Sequence, residues 1–197
     1  MSTATHPIPW TETELFRYLR FGHSAQHGSA SGPMAPVVRE LAQLPEADVR
    51  AMAHYLASFN APADETRNAA QAKALIDAAE RHGGSELDAA QRLFNGACGA
   101  CHHAGNGPEV FGQNLPFALS SKLHNAQPDN LLRVILEGVR EPASRELGFM
   151  PAFRDALDDA QVARLAAYMR ARFAPNQPAW RDLEAASARL RAHPSSP

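Results

Sequence analysis

The chain has little cysteine: two residues among 197, both inside the stretch Asn95–Ala104, NGACGACHHA. Two thiols three positions apart would close a very short disulfide loop, so an extracellular cystine framework is excluded and a local site is left to explain. Charge of one sign is also missing. With 19 Lys and Arg against 21 Asp and Glu, the formal net charge is −2 and the cations are scattered among acids, so no basic field exists for a nucleic-acid partner. No apolar run approaches the roughly 18 residues of a membrane span. The opening, MSTATHPIPW, has neither the basic nor the apolar region of a secretory signal, and taken literally it predicts the cytoplasm. What is present is a 45% hydrophobic content, enough to bury the core of one ordinary domain or two small ones.

Alternating strand patterns are lacking too, whereas alanine-rich segments with helical spacing dominate, so the fold class is all-α. Ser85-Glu-Leu-Asp88 has capping-box character and leads an apolar stripe of Leu87, Ala90, Phe94 and Ala97 straight into Cys98. Pro128 and Asp129 open a helix through Leu131–Leu136 that Gly138 stops. Asp158 and Gln161 open another, bearing Val162, Leu165, Met169 and Phe173 and ended by Pro175.

The chain also repeats itself. Leu15-Phe-Arg-Tyr-Leu-Arg-Phe-Gly22 aligns with Leu131-Leu-Arg-Val-Ile-Leu-Glu-Gly138, and Gly32-Pro-Met34 with Gly148-Phe-Met150, at one common offset. After a three-residue shift, Leu44, Val49, Met52, Tyr55 and Leu56 align with Leu157, Val162, Leu165, Tyr168 and Met169. The second copy, about residues 85–174, has a leading helix and the cysteine pair; the first, about 10–60, has nothing before Trp10. The expected organisation is a partial copy over 1–60, a linker over 61–84 with a short helix from Ala69 to His82, a complete domain over 85–174, and a strap over 175–197 docked by Trp180. A membrane-surface role for that strap is disfavoured, because its face mixes acids and bases.

The cysteine cluster carries the chemistry. One helical turn brings Cys98 and Cys101 to the same side, and His102 lies four residues beyond Cys98 on nearly the same face. C-x-x-C-H is the attachment signature of c-type haem, with two thioethers on the porphyrin edge and the histidine as iron ligand. Tetrahedral zinc would need two more ligands, which only distant histidines could supply. A thioredoxin-like pair wants a βαβ context that is absent, and a bare structural pair leaves His102 unexplained. For the second axial position the sequence offers Met150 in Gly148-Phe-Met-Pro-Ala-Phe153. Pro151 biases Met150 to extended backbone, and Phe149 and Phe153 can form an apolar shell around it. A lone methionine is more often core packing, but the G-x-M repeat favours a ligand. His103, His23, His27, His54, His82, His124 and His193 take the default reading of surface or packed residues, and Pro108 is a candidate carbonyl partner for His102.

Cys98–His102, Asp129–Gly138, Gly148–Phe153 and the Leu165-Ala-Ala-Tyr-Met-Arg170 helix together resemble a class I cytochrome c domain. With the Pro178-Ala-Trp180 tail, the two copies resemble the C-terminal part of multi-haem cytochrome c subunits of bacterial dehydrogenases acting on nicotinate, aldehydes, isoquinoline or alcohols. The resemblance implies one covalent haem c and electron transfer rather than catalysis. It further implies a molybdopterin or quinoprotein dehydrogenase subunit as donor, a respiratory acceptor, periplasmic residence, and membrane association only through partners. Such subunits carry several haem domains and a signal peptide; this chain shows one C-x-x-C-H and no signal. That departure is expected of a chain beginning inside a longer protein, or of a split subunit, and it leaves Met34 without a haem in this polypeptide. The alternative is a haem-free remnant serving as an interaction module.

Overall fold

The computed structural model describes residues 6–60, 64–81, 89–102 and 115–194. The first helix, α1 (Glu12–Phe21), starts where the Thr11 side chain accepts the Glu14 N–H at 3.1 Å. It ends at Gly22, whose φ of 78° is the left-handed conformation glycine adopts without strain. A small antiparallel hairpin, β1 (His23–Ser24) with β2 (Gly28–Ser29), leads to α2 (Met34–Leu41) and α3 (Glu46–Ala57). Leu15, Phe16 and Leu19 recur at helical spacing on α1 and pack against Val49 and Ala53 of α3.

Residues 61–84, read from the sequence as a linker with a short helix, contain the longer α4 (Glu65–Arg81). This helix is tied down at its polar positions as well as its apolar ones. Buried Asn68 donates to the Pro9 carbonyl at 3.1 Å and Gln71 to that of Pro7 at 2.7 Å, while Ala72 joins Ile8 and Leu119 in a small apolar cluster. Two of the backbone acceptors of the chain's opening strap are thereby satisfied.

The second half is built on α5 (Ala89–Ala97), a 3₁₀ turn at Phe117–Leu119, α6 (Ser121–His124), α7 (Asp129–Glu137), α8 (Asp159–Phe173) and α9 (Leu183–Ala192). Phe94 of α5, Leu132 and Leu136 of α7, Val162 and Leu165 of α8 and Leu190 of α9 share one buried core. The α8 start is the reciprocal capping box of Asp158 and Gln161, at 2.7 and 2.9 Å. Trp180 fixes the C-terminal strap: its indole N–H donates to the Asn125 carbonyl at 3.0 Å and its ring lies 4.3 Å from the Arg170 guanidinium. Arg170 is 3% exposed yet satisfied, because it also donates to the carbonyls of Leu123, Asn125 and Pro178.

The two sequence copies part at their methionines. Gly22 and Gly138 both carry positive φ at a helix end, but Met34 opens α2 whereas Met150 lies in extended chain paired with Val139. The reason is the position of one proline. Pro151 directly follows Met150 and excludes helix there, while Pro36 comes two residues after Met34, inside the first turn of α2, where its missing N–H costs nothing.

Candidate haem site

The cysteine pair sits on the turn that continues α5. The Cys98 N–H donates to the Phe94 carbonyl at 2.8 Å, and the N–H groups of Cys101 and His102 both donate to the Cys98 carbonyl, at 3.2 and 2.8 Å. This extra turn brings Cys98, Cys101 and His102 together. Both thiols are free; Cys98 is half-buried against the main core and Cys101 is exposed. Burial pushes the Cys98 thiol up to about 11, with the neighbouring Cys101 adding to the effect. At neutral pH Cys98 is therefore a neutral thiol, not a thiolate poised for redox exchange. Among the described residues no group of three His, Cys, Asp or Glu side chains is arranged to hold a metal ion. A porphyrin brings its own four nitrogens, so the donor set here fits a haem.

His102 packs on Phe117, ring centroids 4.6 Å apart, and Phe117 in turn meets Phe94 and Phe173. No sequence signal singles out Phe117, because the contact joins segments distant along the chain. Pro108 and the Ser85–Asp88 cap lie outside the described residues.

Met150 is placed by a different element. Its N–H and carbonyl exchange hydrogen bonds with Val139 at 3.1 and 2.8 Å, and the Phe153 N–H donates to the Ile135 carbonyl at 3.0 Å. Gly138 makes this possible: a Cβ there would lie 2.4 Å from the Met150 carbonyl oxygen and 2.7 Å from the Ala152 nitrogen. From sequence Gly138 was legible only as a helix stop. Phe153 packs against the main core, whereas Phe149 stands 55% exposed instead of closing over the methionine.

The described residues thus hold a thiol-thiol-histidine turn at one edge of a helical core and a methionine loop tied to the end of α7. The family model for cytochrome c oxidase, cbb3-type, subunit III matches residues 85–169, a span that contains both. Residues 85–169 are a c-type cytochrome domain.

This cytochrome domain has relatives that match most of the chain. A nicotinate dehydrogenase subunit of Pseudomonas putida is 50% identical over 188 residues, covering 95% of this chain and 15% of that protein. The fructose dehydrogenase cytochrome subunit of Gluconobacter japonicus is 29% identical over 182 residues, covering 83% and 37%. The cytochrome c subunit of the quinone alcohol dehydrogenase of Gluconobacter oxydans is 28% identical over 173 residues, covering 86% and 35%. The chain therefore spans well under half the length of each.

Met34 packs against the cluster of Ala30, Ala35, Val38, Ala143 and Leu147. It borders a cavity of about 460 Å³ whose walls also include Trp10, Tyr18, His27, Lys122 and Arg133, at the junction of the cytochrome domain with the preceding segment. Beside it is an imidazole cluster, with His27 and His124 buried and His6 half-buried, that the default histidine reading did not single out. The His27 ring stacks on Trp10 with centroids 3.6 Å apart and lies 4.4 Å from that of His6, which is 5.0 Å from His124.

Proposed function

We propose that the chain is an electron carrier with a single covalent haem c, held by thioethers at Cys98 and Cys101 and ligated by His102 and Met150. The observation that carries this reading is the helical turn setting two free thiols and a histidine at the end of α5, inside a matched cytochrome domain. When bound, the haem supplies one-electron cycling between ferric and ferrous iron. Cys98 and Cys101 anchor its edge, and Phe117 fixes the face that His102 presents. The Met150 loop, stiffened by Pro151 and by its bridge to Val139, brings the thioether as second ligand. Phe94, Phe117 and Phe153 keep water from the site and favour the less charged, reduced iron. Two protein ligands leave no position for a substrate, so the chain carries electrons rather than transforming a metabolite.

The donor in this reading is a dehydrogenase catalytic subunit of molybdopterin or quinoprotein type, and the acceptor a component of the respiratory chain. Its place is the periplasm or the periplasmic face of the inner membrane, reached at the membrane through partners; no described helix is long and apolar enough to cross one. Residues 1–60 are a partial copy of the cytochrome domain over 85–174, with 61–84 connecting them and 175–197 strapping the end. Expression with periplasmic haem-attachment machinery followed by a pyridine haemochrome assay should give one haem per chain. A chain that acquires no covalent haem there is the haem-free interaction module instead, and the carrier reading falls.

A further inference from the structure

The cavity beside Met34 has walls of two kinds. Trp10, Tyr18, Met34 and Val134 give it apolar surface, while Ser31, Lys122 and Asn125 give it polar groups. Its volume of about 460 Å³ is that of a small-molecule site rather than of a packing defect. Both parts of the chain contribute: Trp10, Tyr18, Ser31 and Met34 precede α4, whereas Lys122, Asn125 and Val134 belong to the cytochrome domain. None of them is in the proposed ligand set of the haem.

The charges in these walls do not cancel. Glu137 meets Arg133 at 3.0 Å, so that pair offsets itself. Lys122 has no acidic partner among the described residues: its ammonium donates to the Ser29 carbonyl at 2.6 Å, and burial without a compensating anion pushes it down to about 8. An ammonium carries three donors, and one carbonyl occupies one of them. His27 lines the same cavity but adds no charge, because burial holds it to about 2. Tyr18 stays protonated, its pKa raised by burial, and its hydroxyl has no hydrogen-bond partner among the described residues. A carboxylate answers both groups, since hydrogen bonds to an ionised acceptor are the strong ones. A flat ring behind it would gain from burial against Trp10 and Met34. One uncompensated cation selects a monoanion over a dianion.

We propose that this cavity binds a small aromatic monocarboxylate, with the carboxylate on Lys122 and Tyr18 and the ring against Trp10 and Met34. Because the contacts come from both sides of the junction, binding ties the two parts of the chain together. The test is calorimetric titration of the full chain, expressed with haem-attachment machinery, with benzoate and with benzamide as the uncharged molecule of the same shape. Saturable benzoate binding is expected, with a dissociation constant of about 1 mM or tighter, a raised melting temperature and NMR shifts at the Trp10 indole, Tyr18 and Lys122. Benzamide should bind about tenfold or more weakly, the factor for one lost charge-assisted hydrogen bond, and Lys122→Met should lose benzoate affinity by as much. Tyr18→Phe removes only the hydroxyl and should weaken benzoate about fivefold, which keeps the test decisive if Lys122→Met does not fold. Absence of saturable benzoate binding overturns the proposal, as does equal affinity for benzamide or unaltered affinity in the variants. Inorganic phosphate binding as tightly as benzoate would overturn it by showing that the ring contributes nothing. A haem spectrum shifted by benzoate would overturn it as well, by placing the ligand at the iron.

Discussion

Gly138 closes α7 with a φ of 69° and lets the Met150–Ala152 backbone approach to where a side chain would stand. Gly138→Ala therefore faces two penalties: a positive-φ backbone with ψ −164°, open essentially to glycine alone and costing about 1–3 kcal/mol on its own, and a Cβ that collides with backbone and not with a yielding side chain. We expect a lower melting temperature together with weakened sulfur ligation of a loaded haem, read from the same sample by calorimetry and absorption. Met150→Ala separates the two effects, because it removes the thioether while leaving the backbone bridge to Val139. It should abolish the weak red-edge band of sulfur-to-iron ligation and lower the reduction potential. Survival of that band would remove Met150 from the ligand set. At this scale Cys98, Cys101 and His102 were legible from spacing alone, since one helical turn suffices to gather them. Phe117 and the contact role of Gly138 were not, because each depends on a segment brought in from elsewhere in the chain.

Between elements, the seam joining the strap of residues 6–10, the β1–β2 hairpin and α6 is built on neutral imidazoles. His6 Nε2 donates to the Leu119 carbonyl at 3.0 Å and His124 Nε2 to that of Ala118 at 2.8 Å, while both ring nitrogens of His27 lack partners among the described residues. Burial is the leading cause that holds His27 down to about 2 and His124 to about 4, reinforced by their mutual proximity to His6, which is lowered as well. The unfolded chain takes up these protons near pH 6.5 and the folded chain does not, so stability is complete above that pH and is lost as pH falls toward 4. Each histidine contributes at most about 1.4 kcal/mol per pH unit in that window. Denaturant titrations at pH 7 and pH 5 should show the decline, and His27→Gln should flatten it; an unaltered slope would place the acid sensitivity elsewhere. The helices themselves were readable from caps and periodicity, as with Asp158 and Gln161 on α8. The reach of α4 was not, because Asn68 and Gln71 look like linker residues until Pro7 and Pro9 are seen to need their donors.

Across the whole molecule, the segment before α4 and the cytochrome domain share their interior. Ala30, Ala35 and Val38 pack with Ala143 and Leu147, and a Cβ at Gly22 would lie 2.7 Å from the Ala143 Cβ. Lys122 extends its ammonium to the Ser29 carbonyl at 2.6 Å, and the Ser121 N–H and hydroxyl both donate to the His27 carbonyl, at 3.0 and 2.9 Å. Removing residues 1–60 would uncover Ala143, Leu147 and Leu119 and strip partners from Lys122. The truncated cytochrome domain is expected to melt several degrees lower than the full chain, in line with the loss of one or two apolar side chains' burial, roughly 1.5–3 kcal/mol each. The full chain is expected to unfold in one transition by calorimetry. Two separated transitions, with the later one matching the truncated domain, would show the halves to be independent.

The sequence by itself determined the local chemistry: the helical class, the turn that gathers two thiols and a histidine, and the proline that keeps Met150 extended. These follow from spacing and from the conformational limits of single residues. Only the tertiary structure decided which faces meet. It sealed Leu165 and Met169 of α8 in a common core, left their counterparts Met52 and Leu56 on α3 partly exposed, and buried His27 and His124 in one seam. Burial depends on the neighbours the fold supplies, and the same periodic pattern is written in both copies.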